Sequence, residues 1–176
     1  MSEPQAAHSL LYGISRTIDH LTFPIRDLSL AERFYVGLLG AELLERFDAQ
    51  VFLKLRPERA VDLENTRNSP LHLSVRFGSG PRVDLFLQDH GQAALEQAHP
   101  HLALEVDGAN LDKVKTVLAA AGVPVDGPRR LGPPEQASLY FLDPFGNHLE
   151  FMTHAYPGHA PVGVPDWKCL SYTWAQ

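Results

Sequence analysis

The sequence predicts an α+β fold in which paired βαβββ modules form a cupped mixed sheet. The first observation is an order of elements that occurs twice: an alternating strand, an amphipathic helix that ends at a glycine, and several further strands. The second is the register between the halves, since the spacing from His20 to Gly40 matches the spacing from His101 to Gly122 to within one residue. A tandem duplication of one module accounts for both observations.

The first module is predicted to begin with a strand at 17–25, because TIDHLTFPI alternates apolar and polar side chains. Apolar residues recur at helical spacing over residues 28–40, and Gly40 is a natural C-terminal cap. Four further runs predict strands, with a turn containing glycine and proline at 78–81 between the last two. These four strands are predicted at 41–47, 51–57, 71–77 and 83–88.

The second module repeats this order. PHLALEV at 100–106 alternates like a strand, and residues 110–122 predict an amphipathic helix that closes on Gly122. Asp-Pro-Phe-Gly-Asn at 143–147 is typical of a turn, so the strands on either side of it are predicted to form a hairpin. The three strands after the helix are predicted at VPVDGP (123–128), LYFL (139–142) and HLEFM (148–152).

This organisation divides the chain into four segments. The tail is irregular, and two tryptophans, Trp167 and Trp174, are predicted to pin it to the body. The predicted segments are an N-terminal arm at 1–16, the first module at 17–92, the second module at 98–153 and a C-terminal tail at 154–176.

Composition excludes several classes of protein. The formal net charge is −6 and no basic cluster is longer than a pair such as Arg129-Arg130, so no nucleic-acid partner is expected. No apolar run is long enough to span a membrane, and the N-terminus lacks the basic and apolar regions of a signal peptide. Cys169 is the single cysteine, which excludes an intrachain disulfide framework. A cytoplasmic protein without a membrane partner is therefore predicted.

Four polar side chains share one face of the predicted sheet. Because side chains alternate across a strand, residues opposite the apolar ones would line a concave groove once the helices cover the apolar faces. Two of the four are histidines at matched positions of the two modules. Another is a carboxylate at the centre of an apolar strand, where it needs a partner such as an arginine, a proton or a metal. The four residues are His20, Asp84, His101 and Glu150.

Two histidines and one carboxylate suit Fe(II), Mn(II), Zn(II) or Ni(II). Three protein ligands leave coordination positions open for a substrate or for oxygen, which is typical of a catalytic site. His20, His101 and Glu150 lie far apart in the sequence, so the argument rests on the equivalent positions of the two histidines in the repeats. We therefore predict a divalent metal site with these three ligands and with Asp84 as a candidate fourth.

Three stretches resemble the vicinal oxygen chelate superfamily, which includes glyoxalase I, extradiol dioxygenases, fosfomycin thiol transferases, methylmalonyl-CoA epimerases and bleomycin-binding proteins. They are IDHLTFPIRDLSLAERFYVGLLG, HPHLALEVDGANLDKVKTVLAAAGVPV and LYFLDPFGNHLEF, and the last is the most specific. The resemblance covers residues 17–153 and implies metal ligands at His20, His101 and Glu150. It also implies a homodimer, because modules of this kind often complete their cups by dimerising.

The residues leave the branch of the superfamily open. LYFLDPFGNHLE is similar to the extradiol dioxygenase signature, in which Tyr140 resembles a common tyrosine, but RRLGPPEQAS lacks the histidine of those enzymes. Glyoxalase I and the epimerases use a fourth ligand at the position of Asp84, which is shorter than their usual glutamate or glutamine. Pro133 and Pro134 stand where fosfomycin thiol transferases have basic and hydroxyl residues.

The resemblance predicts a metal-dependent enzyme that acts on a small substrate with two neighbouring oxygen atoms, such as an aromatic diol. An Fe(II) dioxygenase is favoured, and Mn, Ni, Zn or Co are the alternative metals. The first alternative function is a glyoxalase-type isomerase or lyase with Asp84 as fourth ligand. The second is a metal-free drug-binding protein of the bleomycin-resistance kind.

The candidate acid–base residues are Tyr140, His72 and His148, which lie on the predicted groove faces. Each has a structural alternative: Tyr140 as a packing residue, His72 as a groove or surface histidine without a catalytic role, and His148 as a solvated residue beside the turn. Asp84 has one too, since it could pair with Arg76 across the turn at 78–81.

Overall fold

The computed structural model describes residues 18–65, 69–89 and 101–174. The predicted N-terminal arm at 1–16 lies outside these residues, and the bounds of the modules stay predictions. The described strands form two four-stranded mixed sheets with helices packed against them, so the α+β class is confirmed. Within one chain they are divided between two sheets rather than joined in a single cup.

The first sheet contains the strands β1 (His20–Ile25), β2 (Glu42–Phe47), β3 (His72–Arg76) and β4 (Arg82–Leu87). Their order across the sheet is β1-β4-β3-β2. Strand β1 pairs parallel with β4, whereas β3 pairs antiparallel with both β2 and β4. This order leaves β1 at one edge of the sheet.

The second sheet contains the strands β5 (Leu102–Glu105), β6 (Asp126–Arg129), β7 (Ala137–Leu142) and β8 (His148–Thr153). Its order, β5-β8-β7-β6, is that of the first sheet, with the same parallel pairing of the first and last strands. The predicted hairpin is β7 and β8. Strand β6 begins three residues later than the predicted strand at 123–128, because only Asp126 and Arg129 have pairing partners on β7.

Both predicted long helices are present, and each ends before a glycine with positive φ, as expected of a C-terminal cap. The first is α1 (Leu28–Ala31), which continues as π-helical Glu32–Leu38 and begins where the Asp27 carboxylate accepts the Leu30 N–H at 2.8 Å. The second is α3 (Leu111–Ala120), preceded by the 3-10 turn Gly108–Asn110. Of the described helices, none has the length and apolar character needed to cross a membrane.

The strand predicted at 51–57 is wrong. These residues lie mostly in helix α2 (Ala49–Leu55), followed by the 3-10 segment Pro57–Glu64. The cause is local: the Asp48 carboxylate accepts the backbone N–H groups of Gln50 and Val51 at 3.0 and 3.1 Å, which caps a helix start. The periodicity of a short apolar run such as VFLKL fits either a strand or a helix, and here the cap favours the helix.

One hydrophobic core joins both sheets and both long helices. Its most buried side chains come from each half, and polar contacts cross between the halves as well. The Tyr35 hydroxyl donates to Asp143 at 2.8 Å, and the Asn147 amide donates to the Pro24 carbonyl at 3.0 Å. The core thus contains buried apolar residues from both sheets. The fully buried members include Ile25, Phe34, Tyr35, Leu73, Leu85, Leu111, Leu139 and Leu149.

Candidate metal site

Glu150 is paired with an imidazole. It lies in the middle of β8, and His101 directly precedes the neighbouring strand β5. The His101 Nε2 and Glu150 Oε2 atoms are 2.7 Å apart. Glu150 is 6% exposed, so this contact supplies the partner that a buried carboxylate requires.

His20 does not join this pair within one chain. It lies on β1 of the other sheet, where it is exposed and its Nδ1 contacts the Asp19 carboxylate at 2.7 Å. Among residues 18–65, 69–89 and 101–174, no group of three or more His, Cys, Asp or Glu side chains is arranged to hold a metal ion. The predicted faces are right for each strand, but the two faces are not brought together by one chain.

The donors present therefore fit a metal in part. His101 and Glu150 converge with an imidazole nitrogen and a carboxylate oxygen, the donor types that first-row divalent metals accept. A third protein ligand has to come from outside this half of the site. His20 is accessible to a second copy of the chain, because its side chain is 44% exposed.

Tyr140 lies beside the donor pair. It faces Glu150 across the β7–β8 ladder, and its ring meets the His101 ring edge-on with centroids 6.3 Å apart. Burial and the neighbouring Glu150 carboxylate raise the pKa of the Tyr140 hydroxyl above its usual value of 10.0. The hydroxyl is therefore protonated near neutral pH and able to donate.

Asp84 is already held by other groups. Its Oδ1 accepts from the Ser74 hydroxyl at 2.5 Å and contacts Arg82 Nε at 3.1 Å, and its side chain is buried. The alternative pairing with Arg76 is wrong, because Ser74 is the residue opposite Asp84 in the β3–β4 register. Arg76 instead contacts Glu42 on β2 at 2.8 Å.

His72 lies on the first sheet, away from His101 and Glu150. Its ring lies between those of Phe47 and Phe86, at centroid distances of 5.1 and 4.8 Å, and its Nδ1 is 2.9 Å from the Pro70 carbonyl oxygen. The structure therefore does not bring His72 together with the donor pair in one chain.

A family model described as the Glyoxalase/Bleomycin resistance protein/Dioxygenase superfamily matches residues 17–151. The chain belongs to this superfamily. Its topology agrees, since each module has the strand order that pairs its first and last strands in parallel.

Relatives within the superfamily differ in what they are named for. Metallothiol transferase FosB from Lysinibacillus sphaericus is 24% identical over 139 residues, which cover 78% of this chain and 82% of FosB. The structure of FosX from Listeria monocytogenes, complexed with Mn(II) and sulfate, has a TM-score of 0.55 at 18% identity and covers 82% of this chain and 89% of FosX. TnmS3, an antibiotic binding protein from Streptomyces sp., has a TM-score of 0.55 at 22% identity, covering 79% and 96%. The proteins that this chain is similar to thus include a metallothiol transferase and an antibiotic binding protein, and the structural likeness establishes the fold.

In this superfamily member, part of the tail covers the donor pair. The 3-10 turn Trp167–Leu170 packs on the face of the second sheet that carries Glu150. The Trp167 ring stacks on His148 with centroids 4.0 Å apart and an interplanar angle of 8°. It also lies 5.5 Å from the Tyr140 ring and 6.5 Å from the His101 ring. The sequence predicted that Trp167 pins the tail to the body, but not that its ring lies over the site. The sequence signal for that position is no more than a tryptophan in a proline-containing tail.

His148 is buried rather than solvated, so that structural alternative is wrong. It is the first residue of β8 and is 4% exposed, because the Trp167 ring stacks on it. Burial, with a smaller contribution from the nearby His101, lowers the pKa of His148 below its usual value of 6.5. His148 is therefore a neutral imidazole at pH 7.

Proposed function

We propose that the protein is a divalent-metal-dependent enzyme that works as a homodimer. His101 and Glu150 of one copy would hold the metal together with His20 of a second copy. The substrate would be a small molecule with two neighbouring oxygen atoms, with an aromatic diol favoured. The contact of 2.7 Å between His101 Nε2 and Glu150 Oε2 carries this proposal, because it sets two suitable donors side by side on a buried face.

The edges of the two sheets support a shared site. Strand β1, with His20, and strand β5, preceded by His101, are each the end strand of a sheet. An edge strand carries unpaired backbone groups and pairs readily with another chain. Alignment of β1 of one copy beside β5 of another would bring His20 to the donor pair, twice in a dimer with two-fold symmetry.

The surroundings of the donor pair favour an aromatic substrate. The Tyr140 ring lies edge-on to His101, and the buried imidazole of His148, on β8, lies near His101, which suits a flat apolar molecule better than a phosphonate. The protonated Tyr140 hydroxyl would donate a hydrogen bond to a substrate oxygen bound beside Glu150. A bound metal would act as a Lewis acid and lower the pKa of a substrate hydroxyl. Fe(II) and dioxygenase chemistry are favoured, with Mn, Ni, Zn or Co as alternatives.

Three other functions compete with this one. A glyoxalase-type isomerase or lyase would need Asp84 as a fourth ligand, but Asp84 would first have to leave Ser74 and Arg82. The single observation that favours thiol transfer is the sequence similarity to FosB. A metal-free binding protein, for which TnmS3 is a precedent, would require no tight metal site.

The test is the metal content of protein purified without oxygen, beside the variant Glu150→Ala. We expect about one metal per chain in the wild type and a loss of affinity of more than about 100-fold in the variant, because a direct ligand matters more than an outer-shell group. Glu105→Ala is the matched control, since Glu105 is an exposed glutamate on the adjacent strand β5.

Each result selects one function. Iron, with oxygen consumption on catechol, supports the dioxygenase. Nickel, zinc or cobalt without oxygen consumption shifts the function to isomerase or lyase chemistry. Metal absent from both proteins after reconstitution contradicts the proposal and leaves the binding protein.

A further inference from the structure

The C-terminal strap, defined as residues 161–172, crosses the face of the second sheet that carries the donor pair. Hydrogen bonds tie it to the body at both ends. Arg130 N–H donates to the Pro161 carbonyl at 2.9 Å, and the Tyr172 hydroxyl donates to the Leu142 carbonyl at 3.0 Å. Between these ends, Trp167 and Leu170 pack on Tyr140 and Leu142. The strap begins beyond residue 151, where the match to the superfamily ends.

The two tryptophans of the tail are held differently. Trp174 is 8% exposed, packs edge-on against Phe34 at 5.3 Å, and its Nε1 donates to the Ala121 carbonyl at 2.8 Å. Trp167 is 5% exposed, but its Nε1 has no hydrogen-bond partner among the described residues. A buried donor without a partner makes its packed arrangement less stable than one in which the donor reaches water.

The imidazole beneath Trp167 has the same defect. His148 is 4% exposed, and its Nδ1 has no hydrogen-bond partner within the described part of the chain. The two stacked rings of His148 and Trp167 thus each leave one polar atom unsatisfied at the same place. Native proteins rarely leave such atoms buried unless a water, a ligand, an ion or a movement satisfies them.

Trp167 also blocks the groups that a substrate would need. With the strap in place, Tyr140 is 4% exposed and Glu150 is 6% exposed. While the indole ring stays where it is, a substrate cannot stack on His148 or reach the Tyr140 ring by this face. For these groups to act, the indole ring has to leave.

We propose that Trp167 is a plug that occupies a binding site for a flat aromatic ring, and that an aromatic ligand displaces it. The indole ring marks the shape of the site: it lies parallel on His148, with Tyr140 edge-on beside it at an interplanar angle of 75°. Displacement lets the indole N–H reach water and frees His148 Nδ1 to bond the polar edge of the ligand. The choice of an aromatic ligand with neighbouring oxygens rests on the proposed function.

Substitution of Trp167 distinguishes a plug, which occupies the site of the ligand, from a wall, which contacts the bound ligand. The two differ in the direction in which the affinity for the ligand changes. A plug competes with the ligand, so its removal strengthens binding, whereas a wall contributes contacts, so its removal weakens binding. We would measure the dissociation constant of catechol by calorimetry, without oxygen, on protein loaded with Mn(II). We expect Trp167→Ala to bind catechol at least about threefold more tightly than the wild type. For Trp174→Phe, the matched control in the same tail, the dissociation constant of catechol should stay within about twofold of the wild-type value.

Equal or weaker binding by Trp167→Ala overturns the plug. If no variant binds catechol even with the indole ring removed, the aromatic site is overturned. The Mn(II) content of the same samples then reports separately whether the proposed metal site stands.

A second measurement, the fluorescence of Trp167, tests the proposal even if Trp167→Ala does not fold. In Trp174→Phe, Trp167 is the sole tryptophan, so its fluorescence reports on the plug alone. Acrylamide should quench it weakly in the free protein and more strongly once catechol is bound. Unchanged shielding of Trp167 with catechol bound contradicts the proposal.

Discussion

The two sheets have the same strand order but differ in the faces that they turn away from the common core. On the first sheet that face is open at its edge, where His20 is exposed on β1. On the second sheet it is closed, because Trp167 covers Tyr140, His148 and the pair of His101 with Glu150. Both halves thus have the same topology, and within the described residues the pair that we propose as metal ligands, His101 and Glu150, lies in the second half. In the function that we propose, a complete metal site requires the open face of one chain to meet the pair of His101 and Glu150 of another.

The largest effect that we expect tests whether the two sheets share one core. Leu85 on β4 and Leu149 on β8 are both fully buried, each on the strand that pairs in parallel with the first strand of its sheet. Replacement of either leucine by alanine should lower the free energy of unfolding by about 2–5 kcal/mol, because each leaves a cavity. Both variants should unfold in one transition during chemical denaturation. Two separate transitions, each affected by one substitution, would show that the halves are independent.

The next effect concerns Asp143, the carboxyl that contacts Tyr35 across the halves. Burial raises its pKa from 3.8 to about 6, so the folded state holds its proton more tightly than the unfolded state. The stability that this proton provides is complete below pH 3.8 and is lost as the pH rises through about 6. Compared with Asp143→Asn, the wild type should therefore lose about 2 kcal/mol of relative stability between pH 4 and 7.

The measurement for Asp143 is a series of denaturant titrations across that pH range. Asp107→Asn is the control, since Asp107 is exposed and its side chain caps nothing. A difference between wild type and Asp143→Asn that stays flat with pH, or rises with it, would contradict the assigned burial.

A smaller effect belongs to the first half alone. Asp48→Ala removes the carboxylate that accepts the Gln50 and Val51 N–H groups at the start of α2. The loss of an N-terminal cap should cost about 1 kcal/mol in the free energy of unfolding. Asp48→Asn retains an acceptor and should recover most of that loss. An equal loss in both variants would mean that the contact between Arg46 and Asp48 matters more than the cap.

The smallest expected effect on stability is that of His20→Ala. Because His20 is exposed at the edge of its sheet, its replacement should change the free energy of unfolding by less than about 0.5 kcal/mol. The same substitution should nevertheless abolish tight metal binding if His20 is a ligand. Thermal unfolding of the metal-free variant measures the effect on stability, and the metal content of the purified variant measures the effect on metal binding. A large loss of stability would assign His20 a structural role instead.

Much of the fold was predictable because local signals agree with the tertiary structure. The strands around Asp143 and both long helices carry turn and cap residues that match their packing. The strand prediction at 51–57 is wrong because an apolar run of that length fits either a strand or a helix, and the N-terminal cap by Asp48 favours the helix. For each strand, the side on which the candidate ligands lie was predictable, since alternation assigns faces. How the faces of two sheets meet, and where the tail lies, depends on long-range packing that periodicity does not encode.

The central claim is that one metal site draws ligands from two copies of the chain. Mixing His20→Ala with Glu150→Ala, after unfolding and refolding together, tests it most directly. If the site is shared between copies, each mixed dimer has one site with all three ligands, and the mixture should regain about a quarter of the wild-type metal content. Each variant refolded alone should bind no metal tightly. If the mixture also stays empty while both variants fold and dimerise, the shared site is contradicted.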